Sequence, residues 1–317
     1  MPILKYLTSF SIILVILSSC GRKGVKLAGS KQELGEKLFF DPILSRDSSV
    51  SCASCHRPEH GFADITPTSK GVFGRMGGRN TPSCMNMTDR NFYFWDGRAE
   101  TIEEQALGPI ENPIEMDLPL SIAVKRLMKN AYYYQSFVTI YGTKPSRELI
   151  ALALSDFQRT LETSDTPFDR YFQNGDSAAI SASAKNGLNI FNGKGKCFDC
   201  HFGVDFTGND QFKNIGLFNG KNLNDKGRHD LTGKESDLGK FKVPGLRNVA
   251  ITGPYMHNGM HKTLKAVIDY YNEPDAFVNN SINRDTIMNK PLGLTEAEKK
   301  DLENFLLSLT DDRFTKK

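Results

Sequence analysis

Two copies of the pattern Cys-x-x-Cys-His stand in this chain. Their residues are Cys52, Cys55 and His56 in the first copy and Cys197, Cys200 and His201 in the second. In each copy the two thiols are spaced to add across the two vinyl groups of one porphyrin. The histidine that follows is placed to bind the iron as its proximal ligand. The two copies therefore predict two covalently attached c-type haems.

Two other uses of this cysteine pattern fit less well. The motifs start 145 residues apart (197 − 52), whereas the two cysteine pairs of one zinc site usually lie roughly 15–20 residues apart. A redox-active Cys-x-x-Cys pair does not require histidine at the next position, yet histidine follows both pairs here. We therefore favour haem attachment at both motifs.

The N-terminus is predicted to be a targeting segment. Lys5 precedes an apolar run over 12–17, which is too short for a membrane-spanning helix. The segment 17–21, Leu-Ser-Ser-Cys-Gly, resembles the lipobox of bacterial lipoproteins. We expect a signal peptide over 1–19, lipidation at Cys20 and a tether over 20–32. The alternative is an ordinary signal peptide with a chance cysteine. Either way we expect export to the periplasmic side of a bacterial membrane, with membrane contact only through the lipid.

The charge and the cysteine count limit the partners and the covalent links that we expect. The net charge is +3, and no basic groove with interleaved aromatic residues is apparent, so nucleic acid is not an expected partner. The six cysteines divide into one lipid anchor, four haem thioethers and Cys84. We expect Cys84 to be a buried, small apolar residue and no disulfide framework to form.

A weak internal repeat favours two haem domains. The segment 35–39 precedes the first motif and 187–191 precedes the second, and each places paired apolar residues on one helix face. We expect domains over 33–176 and 177–317.

Helix signals dominate the rest of the chain. Thr101 with Glu104, and Thr295 with Glu298, form capping-box patterns. Further helices are predicted over 121–134, 147–161 and 264–271, and Thr263 can cap the last of these. Long loops are predicted over 65–83, 202–245 and 272–293. No run of alternating strands is apparent, although a short hairpin is compatible with the sequence. The predicted fold is mainly α, with two cytochrome c-like domains in a pseudo-twofold relation.

Two further segments resemble a known family. The first runs Phe-Trp-Asp-Gly-Arg-Ala over 94–99 and continues through Gln105, Pro109 and Asn-Pro-Ile-Glu-Met over 112–116. The second runs Val-Pro-Gly-Leu-Arg-Asn-Val over 243–249 and Gly-Pro-Tyr-Met-His-Asn-Gly over 253–259. Together with the haem motifs they resemble the bacterial di-haem cytochrome c peroxidases and the related MauG-type enzymes. The resemblance covers nearly all of the expected mature chain.

The resemblance implies roles for particular residues. A peroxidase needs an iron with an open position, an acid/base group for the peroxide oxygens and a source of electrons. Glu115 corresponds to the family's distal glutamate over the first, peroxidatic haem, and Gln105 and Pro109 lie in the same pocket. Trp95, the single tryptophan, corresponds to the residue that carries electrons between the haems.

The family also implies a calcium ion between the domains. Asn80, Thr252 and Pro254 match its protein ligands, which are one amide oxygen and two main-chain carbonyls, and oxygen ligands suit calcium. A turn without a metal is the alternative.

The first haem differs from many of the family's peroxidases, which place a removable histidine over this iron. The corresponding loop, 71–79, contains no histidine, and His60 is too close to His56 to reach the opposite face. We therefore expect the first iron to be open in the oxidised protein. The competing hypothesis is that Met116 binds there.

The second haem differs in its distal ligand. Fourteen residues after His257, where the peroxidases have methionine and the MauG-type enzymes have tyrosine, this chain has Tyr271. We favour Tyr271 as the ligand, with Met256, Met260 and Tyr270 as competitors.

The leading functional hypothesis is reduction of hydrogen peroxide to water. Electrons come from a small external redox protein such as a cytochrome c or a cupredoxin. They enter at the His201 haem, pass Trp95 and reach the His56 haem, where Glu115 assists cleavage of the O–O bond. The alternatives are a MauG-like, peroxide-dependent oxidation of a partner protein and a non-enzymatic di-haem electron carrier. We also consider a homodimer as the assembly.

Overall fold

The computed structural model describes residues 26–88, 90–163 and 165–315. The expected signal peptide and Cys20 lie outside these residues. Within the range expected for the tether, 20–32, Ala28 is buried in the N-terminal core and a helix begins at Lys31. None of the described helices is long and apolar enough to cross a membrane.

The described chain is mainly helical, as predicted. Its helices are α1 Lys31–Phe40, α2 Cys52–Cys55, α3 Ile102–Glu111, α4 Leu120–Lys129, α5 Ala131–Tyr141, α6 Arg147–Gln158, α7 Pro167–Asn174, α8 Ala182–Asn192, α9 His229–Thr232, α10 Leu264–Asn272, α11 Pro274–Phe277 and α12 Glu296–Leu307. Two short strands, β1 Phe212–Lys213 and β2 Phe241–Lys242, pair antiparallel.

The N-terminal core forms where α1 packs against α6. Leu34 and Leu38 of α1 are fully buried there. A methyl group on Gly35 would lie 1.8 Å from the Ala153 carbonyl oxygen of α6. Glycine at this position therefore allows the two helix backbones to approach each other closely.

The C-terminal core repeats this arrangement with α8 and α12. Phe191 of α8 and Phe305 of α12 pack edge to face, with ring centroids 5.1 Å apart. A methyl group on Gly187 would lie 2.0 Å from the Asp301 carbonyl oxygen. The equivalence of the two glycine contacts gives the internal repeat at 35–39 and 187–191 a structural basis.

The helix α7 lies before the expected boundary at 176/177 and packs with the second core. Phe168 of α7 packs against Phe206 and Phe305 of the second core, with both centroid distances 5.6 Å. Phe314, near the end of the chain, packs against the first core. On these contacts we propose that the second haem domain includes α7.

Threonine caps start three helices where the sequence predicts them. The hydroxyls of Thr101, Thr263 and Thr295 each accept a hydrogen bond from a backbone N–H three residues later, at the starts of α3, α10 and α12. In α12 the Glu298 side chain completes a capping box.

The continuous helix predicted over 121–134 is wrong, because Asn130 separates α4 from α5. The Asn130 N–H donates to the Arg126 carbonyl and closes α4, while its side-chain oxygen accepts from Tyr133 N and opens α5. An amide side chain that can satisfy a free backbone N–H makes a helix boundary favourable at this position.

Candidate haem sites and the space between them

The first motif lies on a short helix that presents all of its ligands together. Cys52 and Cys55 begin and end α2, and His56 follows as its C-cap. The Nδ1 atom of His56 lies 3.0 Å from the Phe62 carbonyl oxygen. A carbonyl can only accept, so Nδ1 carries the proton and Nε2 is left to bind a metal.

The second motif reproduces this geometry. Cys197 starts a 3-10 turn that Cys200 ends. The Nδ1 atom of His201 donates to the Phe206 carbonyl over 2.9 Å. Phe62 and Phe206 both have left-handed backbone conformations, with φ of 56° and 57°, and this turn brings each carbonyl back to the imidazole. The two proximal histidines are therefore oriented in the same way.

The protonation states also suit haem binding. Burial lowers the pKa of His56 and of His201, so both imidazoles are neutral at neutral pH, the form that binds iron. Burial raises the pKa of Cys52 and of Cys197 to about 12. The five cysteines in the described part of the chain are all free. The residues present therefore fit two c-type haems, one at each motif.

Cys84 has a contact that the sequence did not predict. It is buried, as expected, but its Sγ atom lies 3.1 Å from Nδ1 of His56. The thiol therefore touches the proximal histidine of the first site. The one signal in the sequence was that this cysteine belonged to neither haem motif.

Glu115 lies beside the first motif. Its Oε1 atom accepts a hydrogen bond of 2.6 Å from Asn112 Nδ2. Burial raises the pKa of this carboxyl, while Arg98 and Asn112 act in the opposite direction. Its negative charge contributes to raising the pKa of Cys52 and that of Cys55, which puts the carboxylate near both thiols.

The other residues expected in this pocket lie close along the chain. Gln105 and Pro109 are half-buried on α3, and the loop after this helix leads to Glu115. The histidine-free loop packs against the same place, because Val72 N donates to the Glu115 carbonyl over 2.8 Å. Met116 is buried in the N-terminal core cluster.

Trp95 is hydrogen-bonded to both halves of the molecule, the N-terminal half that contains α1–α6 and the C-terminal half that contains α7–α12. Its indole Nε1–H donates to the Asn80 carbonyl over 2.8 Å, and its own carbonyl accepts from Lys242 N over 2.7 Å. Asn80 lies two residues before Pro82, and Lys242 lies two residues before Pro244. The backbone of Pro82 raises the pKa of His56 and that of Pro244 raises the pKa of His201, so each proline lies near one proximal histidine. Trp95 thus connects the two segments that hold the proximal histidines.

Arg79 holds this region across the two halves, a role that sequence reasoning missed. Its guanidinium donates to Asp225 through Nε at 2.7 Å and Nη2 at 2.8 Å, and to Asp96 through Nη1 at 2.6 Å. Asp96 directly follows Trp95. The ion pairs join residues 17 and 146 positions apart in sequence, so no local pattern reveals them.

The three expected calcium ligands line one cavity. Asn80, Thr252 and Pro254 all border the space between the halves. The Asn80 amide Nδ2 faces the Thr66 and Pro67 carbonyls at 3.3 and 3.4 Å, which leaves Oδ1 as the atom able to bind a cation. In the described residues, no cluster of three or more His, Cys, Asp or Glu side chains is arranged to hold a metal.

Tyr271 lies in the same cavity as the second motif. The cavity has a volume of about 280 Å³, and its walls include Cys197, Cys200, His201 and Tyr271. Burial raises the pKa of the Tyr271 phenol.

The competitors of Tyr271 are placed differently. Tyr270 donates its hydroxyl to the Ile215 carbonyl over 2.7 Å. It is buried in a core cluster against which Tyr271 packs, and it does not line the cavity. Met260 is 39% exposed and is absent from the cavity wall, whereas Met256 lines it.

The protein has one haem-attachment motif on each of two equivalent helical cores. A carboxylate lies beside the first motif and a tyrosine beside the second. This arrangement defines a di-haem c-type protein with two unlike sites. Residues 29–177 match the family model described as di-haem cytochrome c peroxidase. The solved structure of a MauG-like protein associated with microbial copper homeostasis is similar over 91% of both chains, with 30% identity and a TM-score of 0.82. The diheme peroxidase from Burkholderia thailandensis shares the fold, with a TM-score of 0.78.

Curated relatives carry two names. The methylamine utilization protein MauG of Methylorubrum extorquens is 38% identical over 292 residues, which cover 90% of this chain and 80% of that protein. The cytochrome c551 peroxidase of Pseudomonas aeruginosa is 38% identical over 254 residues, 78% of this chain and 72% of that protein. This chain belongs to the di-haem cytochrome c peroxidase and MauG family, which confirms the resemblance and the prediction of two c-type haems.

Proposed function

We propose that this protein is a c-type di-haem peroxidase that reduces hydrogen peroxide to water with electrons from a small external redox protein. The observation that carries the proposal is the asymmetry of the two sites. The first has a buried carboxylate, Glu115, beside its haem motif, and the second has Tyr271. A simple electron carrier needs no acid/base group at either site.

Glu115 is the residue that moves the proton. When bound, the first haem supplies the iron at which the O–O bond is cleaved. Glu115 takes the proton from one peroxide oxygen and delivers it to the other. Asn112 holds the carboxylate through its 2.6 Å hydrogen bond. Gln105 and Pro109, both uncharged, border the pocket without competing for the iron.

Trp95 provides the connection between the sites. Its indole is oxidisable and donates a hydrogen bond to the Asn80 carbonyl, while its backbone carbonyl accepts one from Lys242 N. Electrons from the donor enter at the His201 site and reach the His56 site through Trp95. A small cytochrome c or a cupredoxin has the right size and chemistry to be the donor.

Steady-state turnover with reduced cytochrome c tests this function. We expect oxidation of two cytochromes for each hydrogen peroxide consumed, because reduction of one peroxide to two waters requires two electrons. A protein with two haems that consumes no peroxide with any reduced cytochrome or cupredoxin would support the carrier hypothesis instead.

MauG-like oxidation of a partner protein is the second candidate, and Tyr271 favours it. A phenolate stabilises ferric iron more than a thioether does. We therefore expect Tyr271→Met to raise the reduction potential of the second haem and Tyr271→Phe to open that iron and change its low-spin signal, both measured by spectroelectrochemistry and electron paramagnetic resonance.

Neighbouring residues provide the controls for the Tyr271 prediction. Tyr270→Phe, Met256→Leu and Met260→Leu should leave the haem spectrum unchanged. If either methionine variant alters the haem bands and Tyr271→Phe does not, the ligand is methionine, and the MauG-like alternative loses its main support.

Several finer features belong to the same proposal. Asn80 Oδ1 and the main-chain carbonyls of Thr252 and Pro254 bind one calcium ion between the halves. The chain is exported to the periplasmic side of a bacterial membrane and anchored through a lipid on Cys20. A homodimer is the proposed assembly.

A further inference from the structure

Lys242 is a buried lysine on the wall of the cavity between the halves. Its side chain is 11% exposed, and its Nζ atom lies 3.5 Å from Asp210 Oδ1. The same oxygen lies 3.6 Å from Nη1 of Arg90, whose side chain is also buried. The other oxygen of Asp210 accepts a 2.8 Å hydrogen bond from Asn91 N. Two buried cations thus share one carboxylate oxygen at long distance.

Two other cations on this wall have carboxylate partners of their own. Lys213 pairs with Asp285 at 3.3 Å. Arg247 contacts Asp169 at 2.9 Å and Asp205 at 2.8 Å. Arg90 donates from Nε to the Asn86 carbonyl over 2.9 Å, but among the described residues the only carboxylate that pairs with Arg90 and Lys242 is the one they share, that of Asp210.

An ammonium group has three donors, and burial with a single long contact is costly. Burial lowers the pKa of Lys242 to about 8 despite the opposing effect of Asp210. The cluster therefore has capacity for a further anion on its cavity side.

We propose that Arg90 and Lys242 form a binding site for a propionate carboxylate of the haem attached at Cys197 and Cys200. Both cations line the same cavity as these cysteines and His201. A haem carboxylate supplies the negative charge that the cluster lacks. This inference rests on the proposed second haem but not on peroxide as the substrate.

The site would join the two halves of the molecule. Arg90 comes before α3 in the N-terminal half, whereas Lys242 lies on β2 in the C-terminal half. Lys242 also donates its backbone N–H to the Trp95 carbonyl over 2.7 Å. Lys242 would therefore hold both the haem carboxylate and the backbone of Trp95.

The cluster should also act on the reduction potential. Reduction adds one negative charge to a haem, so a nearby cation stabilises the reduced form and a nearby carboxylate destabilises it. Loss of the Lys242 charge should lower the potential of the second haem, and loss of the Asp210 charge should raise it.

The test compares Lys242→Met and Asp210→Asn in the protein that contains both haems. We expect spectroelectrochemical titration to show opposite shifts of one midpoint potential, that of the haem whose spectrum responds to Tyr271→Phe. Resonance Raman spectra of Lys242→Met should show a shifted propionate-bending band, and Lys242→Arg should restore it. Lys300→Met removes an exposed lysine of α12 that does not line the cavity and should change neither quantity.

The outcomes separate this inference from the proposed function. Suppose that the wild type carries two haems, and that neither the midpoint potentials nor the propionate band changes in Lys242→Met or in Asp210→Asn. The propionate site is then wrong, and the peroxidase proposal stands. Shifts of the same sign in both variants would indicate a structural disturbance and would also overturn the inference. Absence of a second haem from the wild type would overturn both.

Discussion

Glu115→Gln should lower the peroxide turnover number by about 10²-fold or more, because the variant cannot move the proton between the peroxide oxygens. The haem spectra should barely change, since glutamine keeps the size of the side chain and can still accept a hydrogen bond from Asn112. Steady-state kinetics with a reduced cytochrome c measure the loss.

The pH profile adds a second signature to this prediction. Glu115 must be ionised to accept a proton, and burial raises the pKa of its carboxyl above the ordinary value. In the wild type, kcat/KM should fall as the pH is lowered through that pKa, and this acid limb should be missing from Glu115→Gln. Glu59→Gln changes an exposed carboxylate just after the first motif and should retain wild-type turnover. An unchanged turnover number in Glu115→Gln would remove this residue from the mechanism.

Replacement of Cys197 and Cys200 by alanine should leave one covalent haem instead of two. Thioether bonds survive acid–acetone extraction, so the haem that remains with the precipitated protein measures attachment directly. The double variant should also lose most of its turnover with an external donor, because the proposed route for electrons begins at this site. Cys84→Ser is the matched control, since its thiol belongs to neither motif, and it should keep two haems. Two haems in the double variant would show that the second site is assigned wrongly.

Sequence patterns sufficed where the chemistry is local. A Cys-x-x-Cys-His motif brings its own ligands together within one turn, and a threonine cap needs only the N–H three residues ahead. The helices that start after Thr101, Thr263 and Thr295 were therefore predictable.

Contacts between distant segments were not predictable in this way. Cys84 meets His56 across 28 residues, and Arg90 and Lys242 meet at Asp210 only because the two halves pack together. The break at Asn130 was missed for a different reason, since the apolar pattern continues through it and only the cap geometry ends the helix. Family resemblance supplied the positions of Glu115, Trp95 and Tyr271, and the structure supplied their contacts.

The coordination of the first iron in the fully oxidised protein is the most direct test of the central claim. No histidine lies in the loop 71–79, and Glu115 lies near the cysteines of the first motif. We predict one high-spin haem signal in the electron paramagnetic resonance spectrum, cyanide binding without prior reduction, and peroxide turnover with no activation lag. A purely low-spin spectrum, or a lag that reduction removes, would contradict the account and would point to a residue such as Met116 bound to the iron.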